Sequence, residues 1–382
     1  DADPDHKDVF IEVDAMNAPG LAPTMADLDP VLVAFANAPV QNPDQTSGIR
    51  LHVVIDESDL GTVDFPLGFD DFDLIKKARF GTPGERNDAD SAEILEAKRQ
   101  AFRYCLFANT HSNSQFSGLA EQPGNDFMVT MGGSNWFPPG GTSDEKAGTF
   151  MHELGHTLGL DHGGRDLVTG PDGTNFKPNY YSIMNYTWQI PKSWMTPFSW
   201  PLSAGKPGFA AIPLPDLDEL ALRECVGFGV TPGPFDGIVV PHNTHNSVVD
   251  RVALKRSSIC CGGVDWNNDG TAVSCSPVAV DLNHLCDFDP ANPDETKHCM
   301  ASPGQLLRGH EDWSKLIYNF RNVFTSPDFA DGVHQTIVGR EPEMTFELHQ
   351  YLDSLFASQG FFRRGDANGD GELDLSDAVF TL

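Results

Sequence analysis

The sequence is poor in basic charge. Its 25 Lys and Arg residues stand against 55 Asp and Glu, a net of -30. That balance opposes contact with phosphate backbones and anionic headgroups, so no nucleic-acid or membrane-surface partner is expected. Long apolar runs are missing too. Nothing approaches the roughly 18 consecutive apolar residues of a membrane span. Residues 1–20 are polar and acidic and lack the basic start and apolar core of a signal peptide. There is no C-x-x-C pair to suggest a cysteine zinc site, and no G-x-S-x-G elbow to suggest a serine hydrolase. No repeat recurs at a period of roughly 20–50 residues, which excludes solenoids and propellers.

What remains is a chain of 382 residues, 40% hydrophobic, long enough for one large domain or two ordinary ones with a substantial core. The acid surplus suits an extracellular protein that binds calcium or lives in salty water; a merely solvated acidic surface explains it equally well. Of seven cysteines, five (Cys260, Cys261, Cys275, Cys286 and Cys299) crowd a loop-rich segment. Disulfides in an oxidising compartment are the favoured reading there, with a second zinc site as the rival. Cys105 lies in the apolar run 102–107 and is expected to be the odd, free, buried thiol.

Along the chain, VFIEV (9–13) and IRLHVVI (49–55) read as strands. Residues 25–38 have helical spacing at Leu28, Leu32 and Phe35. Residues 56–87 read as an irregular insertion, 92–100 as a short helix, and 102–108 and 127–131 as further strands. Thr142-Ser-Asp-Glu145 is a capping box, so a helix is expected from there through Leu158, with Gly159 as its stop. Residues 187–216 read as loop, 217–225 as helix, 226–300 as turn-rich, and 343–356 as a last helix.

The capped helix carries HELGHTLGLDH at 152–162. His152 and His156 are four apart, so both imidazoles face one way and suit one zinc. Glu153 lies beside the first ligand, where its carboxylate can act as general base on a water. Gly159 allows a positive φ, and the turn brings His162 back as a third ligand. Three protein ligands leave a fourth position open, the arrangement of catalytic rather than structural zinc.

HExxHxxGxxH resembles the metzincin clan of zinc peptidases. The clan's second element, a turn with a methionine beneath the zinc, has its counterpart in Ser182-Ile183-Met184-Asn185-Tyr186. The resemblance implies that Met184 floors the site, and that the Tyr186 hydroxyl binds metal or stabilises an oxyanion, as in the astacin and serralysin families. It implies an α+β fold: an α/β-like N-terminal subdomain with a twisted mixed sheet and active-site helix, a zinc cleft, and an irregular C-terminal subdomain. It implies one catalytic zinc per chain and a protein or peptide substrate, extended along an edge strand for which 127–132 is nominated. Trp188, Trp194, Phe198 and Trp200 line a pocket beyond the scissile bond or pack a core under a long loop. The catalytic domain is expected over 1–225, and a disulfide-rich extension or elaboration over 226–355.

A third unit is expected over 360–382. In DANGDGELDLSD, Asp366, Asn368, Asp370, Asp374 and Asp377 occupy positions 1, 3, 5, 9 and 12 of an EF-hand-like loop, with the Glu372 carbonyl at 7. Calcium is favoured there over a disordered acidic tail. The loop resembles half of a dockerin, which implies a cohesin-like or cell-surface partner; dockerins usually have two halves, and the sequence ends at Leu382, inside the expected exit helix, which reads as truncation. Asp265, Asn267 and Asp269 form a partial second loop that can share calcium with Asp281; an Asx-rich turn explains them as well. The expectation as a whole is a secreted, monomeric zinc endopeptidase, set against a calcium-rich extracellular binding module and a zinc hydrolase of non-peptide substrates.

Overall fold

The computed structural model describes residues 2–62, 64–65, 70–111, 116–132, 136, 138–190, 208–229, 239–244, 251–256, 263–264, 266–267, 275–283, 304–319 and 343–357. The fold is mixed α/β, built on one five-stranded, mostly parallel sheet. In chain order its main elements are β1 (Asp8–Ala15), α1 (Met25–Ala36), β2 (Arg50–Ile55), β3 (Asp64–Phe65), α2 (Asp70–Arg79), α3 (Pro83–Arg86), α4 (Ser91–Arg99) and β4 (Phe102–Phe107). They continue with β5 (Thr110–His111), β6 (Gly118–Ala120), β7 (Asp126–Val129) and α5 (Ser143–Thr157). The strand order is β2-β1-β4-β7-β6; the first four strands run parallel and β6 pairs antiparallel with β7.

Both faces of a parallel sheet must be covered, and the alternation in β1 shows how. Ile11 and Val13 join the main core with Phe107 and Phe127, whose rings meet Phe150 of α5. Glu12 and Asp14 point to the other face, under α2–α4. There Lys98 Nζ lies 2.6 Å from Glu12, Lys76 Nζ donates to Asp126 at 2.6 Å, and Phe72 and Phe80 pack on Tyr104. Residues 56–87 are therefore not an irregular insertion. They contain α2 and α3; Phe72 and Lys76 of α2, with Phe80 just after it, help form the second layer. Pro83 at the start of α3 and the Thr82–Glu85 capping box are the local signals for its single turn.

Two further expectations are corrected. Residues 217–225 are not helical. They form β10 (Leu217–Asp218) and β11 (Leu222–Arg223), which pair with β15 (Leu306–Leu307) and β14 (Pro277–Val278); β8 (Arg165–Asp166) pairs with β9 (Gly170–Pro171), and β12 (Val239–Thr244) with β13 (Arg251–Arg256). The cause is Glu219: its buried carboxylate accepts from the N–H groups of Leu282 and Gln305, so tertiary bonds override an ordinary helical pattern. The strand nominated as the substrate edge, 127–132, is interior; β7 lies between β4 and β6, and the edges of the sheet among the described strands are β2 and, on the β7 side, β6.

Within 187–216, the first turn belongs to α6 (Tyr186–Gln189), and 191–207 lie outside the described residues. The helix expected over 343–356 is α7 (Phe346–Ala357), which starts three residues later. A second buried cluster gathers Tyr181, Trp188, Leu214, Leu222, Trp266, Val280 and Leu307, drawing on both sides of position 225. Trp188 stacks on Tyr181 inside it, so this tryptophan packs a core; Trp194, Phe198 and Trp200 lie outside the described residues. Cys225 and Cys275 form a disulfide closing a separation of 50 residues, worth about 4 kcal/mol in the chain-entropy account. Cys105 is free and buried, as expected; Cys260, Cys261, Cys286 and Cys299 lie outside the described residues.

The acidic side of β1 has a pH consequence. Burial pushes the Glu12 carboxyl up to about 7 and the Asp14 carboxyl up to about 6, from ordinary values of 4.5 and 3.8. A raised carboxyl pKa means that the folded state holds protons the unfolded chain has released, so stability falls as pH rises from about 4 to about 7. Asp14→Asn should flatten that slope. Urea midpoints measured across this range check it, and an unchanged slope would count against the burial argument.

Candidate metal centre

The site starts from α5. The Thr142 side chain accepts from Glu145 N–H while Glu145 caps Thr142 N–H, so the helix begins at the expected residue. It ends at a Schellman turn: Gly159 N–H donates to His156 O and Leu160 N–H to Gly155 O, with Gly159 at φ +87°. A Cβ at Gly159 would also meet Ile317 at 2.8 Å. The reversal carries His162 back over the helix. Met184, which floors the site in the expected arrangement, lies close beneath the helix: a Cβ on Gly155 would come within 2.3 Å of its Sδ.

His152, His156 and His162 converge, all fully buried. His152 Nε2 and His156 Nε2 are 3.1 Å apart. Their other ring nitrogens face backbone carbonyls, His152 Nδ1 at 2.9 Å from Ile183 O and His156 Nδ1 at 2.9 Å from Leu160 O. A carbonyl only accepts, so each Nδ1 carries the proton and each Nε2 presents a lone pair to the centre. Burial is the first cause holding the His152 imidazole below its ordinary pKa, which favours the neutral form. Two lone pairs in contact repel unless a cation lies between them. Tetrahedral zinc with bonds near 2.0–2.1 Å spaces its ligand atoms about 3.3 Å apart, close to the spacing seen.

A fourth group enters that no motif announced. Glu343 Oε2 lies 3.6 Å from His152 Nε2 and 3.5 Å from His162 Nε2, and Oε1 lies 3.9 Å from His156 Nε2. The four residues form a buried group able to hold a metal ion such as zinc. The chain matches no known family and no curated protein. The donor chemistry of the site therefore rests on its own geometry.

Around this group of four sit three further residues. Tyr186 Oη is 3.1 Å from His162 Nε2 and donates to Glu343 Oε2 at 3.0 Å. Glu153, fully buried, lies against β6: a Cβ on Gly118 would be 2.6 Å from its Oε1 and 2.6 Å from Met128 O. Glycine at 118 is thus what lets the edge strand pass over Glu153, a signal visible only once the two elements are seen together. Beneath the methionine turn, Asp312 accepts from Tyr180 Oη at 2.9 Å and from Ala210 N–H at 2.8 Å, which fixes the chain around Ile183 and Met184.

The expected calcium ligands are not assembled among the described residues. Asp366, Asn368, Asp370, Glu372, Asp374, Asp377, Asp265 and Asp269 lie outside them. Asn267 N–H donates to Glu224 Oε1 at 3.4 Å, and Asp281 is buried.

Two outcomes follow. Metal binding only to the folded state stabilises it by about 4 kcal/mol at a thousandfold excess over Kd. Zinc removal by a chelator should therefore lower the melting temperature of the wild type, and His152→Ala should abolish that dependence; calorimetry with and without chelator checks both. Gly155→Ala should cost on the order of 1–3 kcal/mol by driving a methyl into Met184, read from urea unfolding.

Proposed function

We propose that the chain is a secreted zinc endopeptidase of metzincin type. The observation that carries the reading is the pair of proton-committed imidazoles whose Nε2 atoms meet at 3.1 Å. Glu153 on the same helix and the Met184–Tyr186 turn beside it supply the rest of a hydrolytic set. The disulfide between Cys225 and Cys275 suits an oxidising compartment, and no described helix is long and apolar enough to cross a membrane.

Bound at the histidines, zinc supplies Lewis acidity toward a carbonyl and acidifies water. The protein's own part is positional and protonic. Glu153 takes a proton from the attacking water and passes it to the leaving amine nitrogen. Tyr186 Oη, within reach of His162, faces the oxygen on which charge develops and donates to it. An extended substrate pairs with the outer edge of β6 by its backbone, which makes recognition tolerant of sequence. Residues 1–225 form the catalytic unit in this reading, 226–355 an elaboration of it, and 360–382 a calcium-binding, dockerin-like tail that joins a cohesin-like or cell-surface partner.

A second reading has a specific observation behind it. With Glu343 as a permanent ligand the set is complete, and a closed four-ligand zinc site is structural. Casein cleavage by the wild type and Glu153→Ala, with zinc quantified in each, separates the two. The peptidase reading expects both proteins to hold about one zinc per chain, and the variant to lose about 10²–10⁴ in rate. Equal rates would sink it, and no cleavage by either although both hold zinc would favour the closed, structural site.

A further inference from the structure

Glu343 has no part in the chemistry above, because a three-histidine hydrolytic site needs its fourth position free. Yet the carboxylate is held there deliberately, by a segment that arrives 181 residues after His162 in the sequence (343 − 162). Ser117 N–H donates to Met344 O at 2.6 Å, and Phe116 forms an antiparallel bridge with Thr345. On its other side the same stretch is bound to the sheet: Thr130 N–H donates to Ser117 O at 2.7 Å. Residues 343–345 therefore run along the outer side of the strand that leads into β6, antiparallel to it, where an extended peptide would pair.

The segment is anchored beyond that pairing. Met344 is fully buried in the main core. Phe346 packs on Trp136 at 5.2 Å between ring centroids, and His349 Nε2 lies 3.7 Å from Glu145 Oε1 at the start of α5. At the metal centre, Tyr186 Oη donates to Glu343 Oε2, so the hydroxyl assigned to the oxyanion is occupied by a carboxylate instead.

We propose that residues 343–345 are an internal competitor of the substrate: their backbone fills the outer edge at Phe116–Ser117, the Glu343 carboxylate covers the three histidines, and the site opens when the segment leaves. This rests on the reading of the site as a metal-dependent peptidase. The physical case is the coincidence of two independent features in three consecutive residues. One is strand pairing at the edge where substrate would lie. The other is an anion placed where a hydrolytic site accumulates negative charge. A tethered segment competes at an effective concentration in the millimolar range, so it masks the site when its own dissociation constant lies below that.

The test uses the full chain as wild type, Glu343→Ala, Glu343→Gln and Glu153→Ala/Glu343→Ala, all loaded with zinc. Zinc per chain after dialysis, affinity for a peptide hydroxamate, and cleavage of a quenched peptide are measured. Glu343→Ala should keep its zinc, bind the hydroxamate at least about tenfold more tightly and cleave at least about tenfold faster, since a competitor is removed. The double variant should not cleave. Glu343→Gln, which keeps the shape and loses the charge, should fall between. In wild type, adding the hydroxamate should speed amide hydrogen exchange in α7 by displacing the segment. Unchanged hydroxamate affinity, unchanged exchange in α7, or loss of zinc from Glu343→Ala would overturn the proposal, the last because Glu343 would then be a permanent ligand. If hydroxamate affinity rises but no variant cleaves any peptide, the self-blocking contact stands and the peptidase reading falls.

Discussion

Buried imidazoles brought to one point, His152 and His156 with their lone pairs turned inward and His162 converging on them, are a constraint the rest of the molecule is organised around. Left without a cation they repel, and each has given up its solvent bonds to be there. The carbonyls of Ile183 and Leu160 make the arrangement unavoidable by holding the Nδ1 protons of His152 and His156. Both carbonyls come from chain that passes the helix after leaving it. The tautomers are thus set by backbone geometry, and any change that moves either loop loosens the centre.

That dependence explains where the sequence spends its small residues. Gly155 sits on α5 between His152 and His156, where a side chain would strike Met184. Gly159 allows the Schellman reversal that returns His162. Gly118 lets β6 cross Glu153. Each is a place where two backbones, or a backbone and a buried side chain, must approach within one methyl group. The buried acids do complementary work: Asp312 fixes the methionine turn from below, and Glu219 gathers strand ends of the second cluster.

The helix, its cap and the three histidines were legible because their signals are local. A capping box spans four residues, the ligand spacing eleven, and both are dictated by helical geometry. The methionine turn was legible through resemblance. Glu343 was not, since nothing in Pro342-Glu343-Met344-Thr345 marks it, and its role exists only through a bond to Ser117 and an approach to residues far back in the chain. The edge strand was missed for a related reason. Phe127–Met131 is the stronger strand pattern, but an antiparallel partner as short as Gly118–Ala120 leaves little pattern to read. Leu217–Cys225 looked helical because Leu and Glu favour helix; the buried Glu219 carboxylate, bound by two distant backbone amides, decided otherwise.

An unpaired strand edge is both an opportunity and a hazard. The N–H and C=O groups that would bind an extended peptide also invite pairing with another chain, and natural sheets cover or blunt such edges. In this protein the cover at Ser117 comes from the chain itself, and the same three residues deliver a carboxylate to the histidines. One bond shields the edge and one charge shields the centre, and they cannot be separated because Glu343 and Met344 are adjacent. Anything that lifts the backbone of 343–345 from Phe116 and Ser117 must also withdraw the carboxylate. The two protections are therefore coupled into a single two-state element, which is the physical requirement for a site to be closed or open rather than partly blocked.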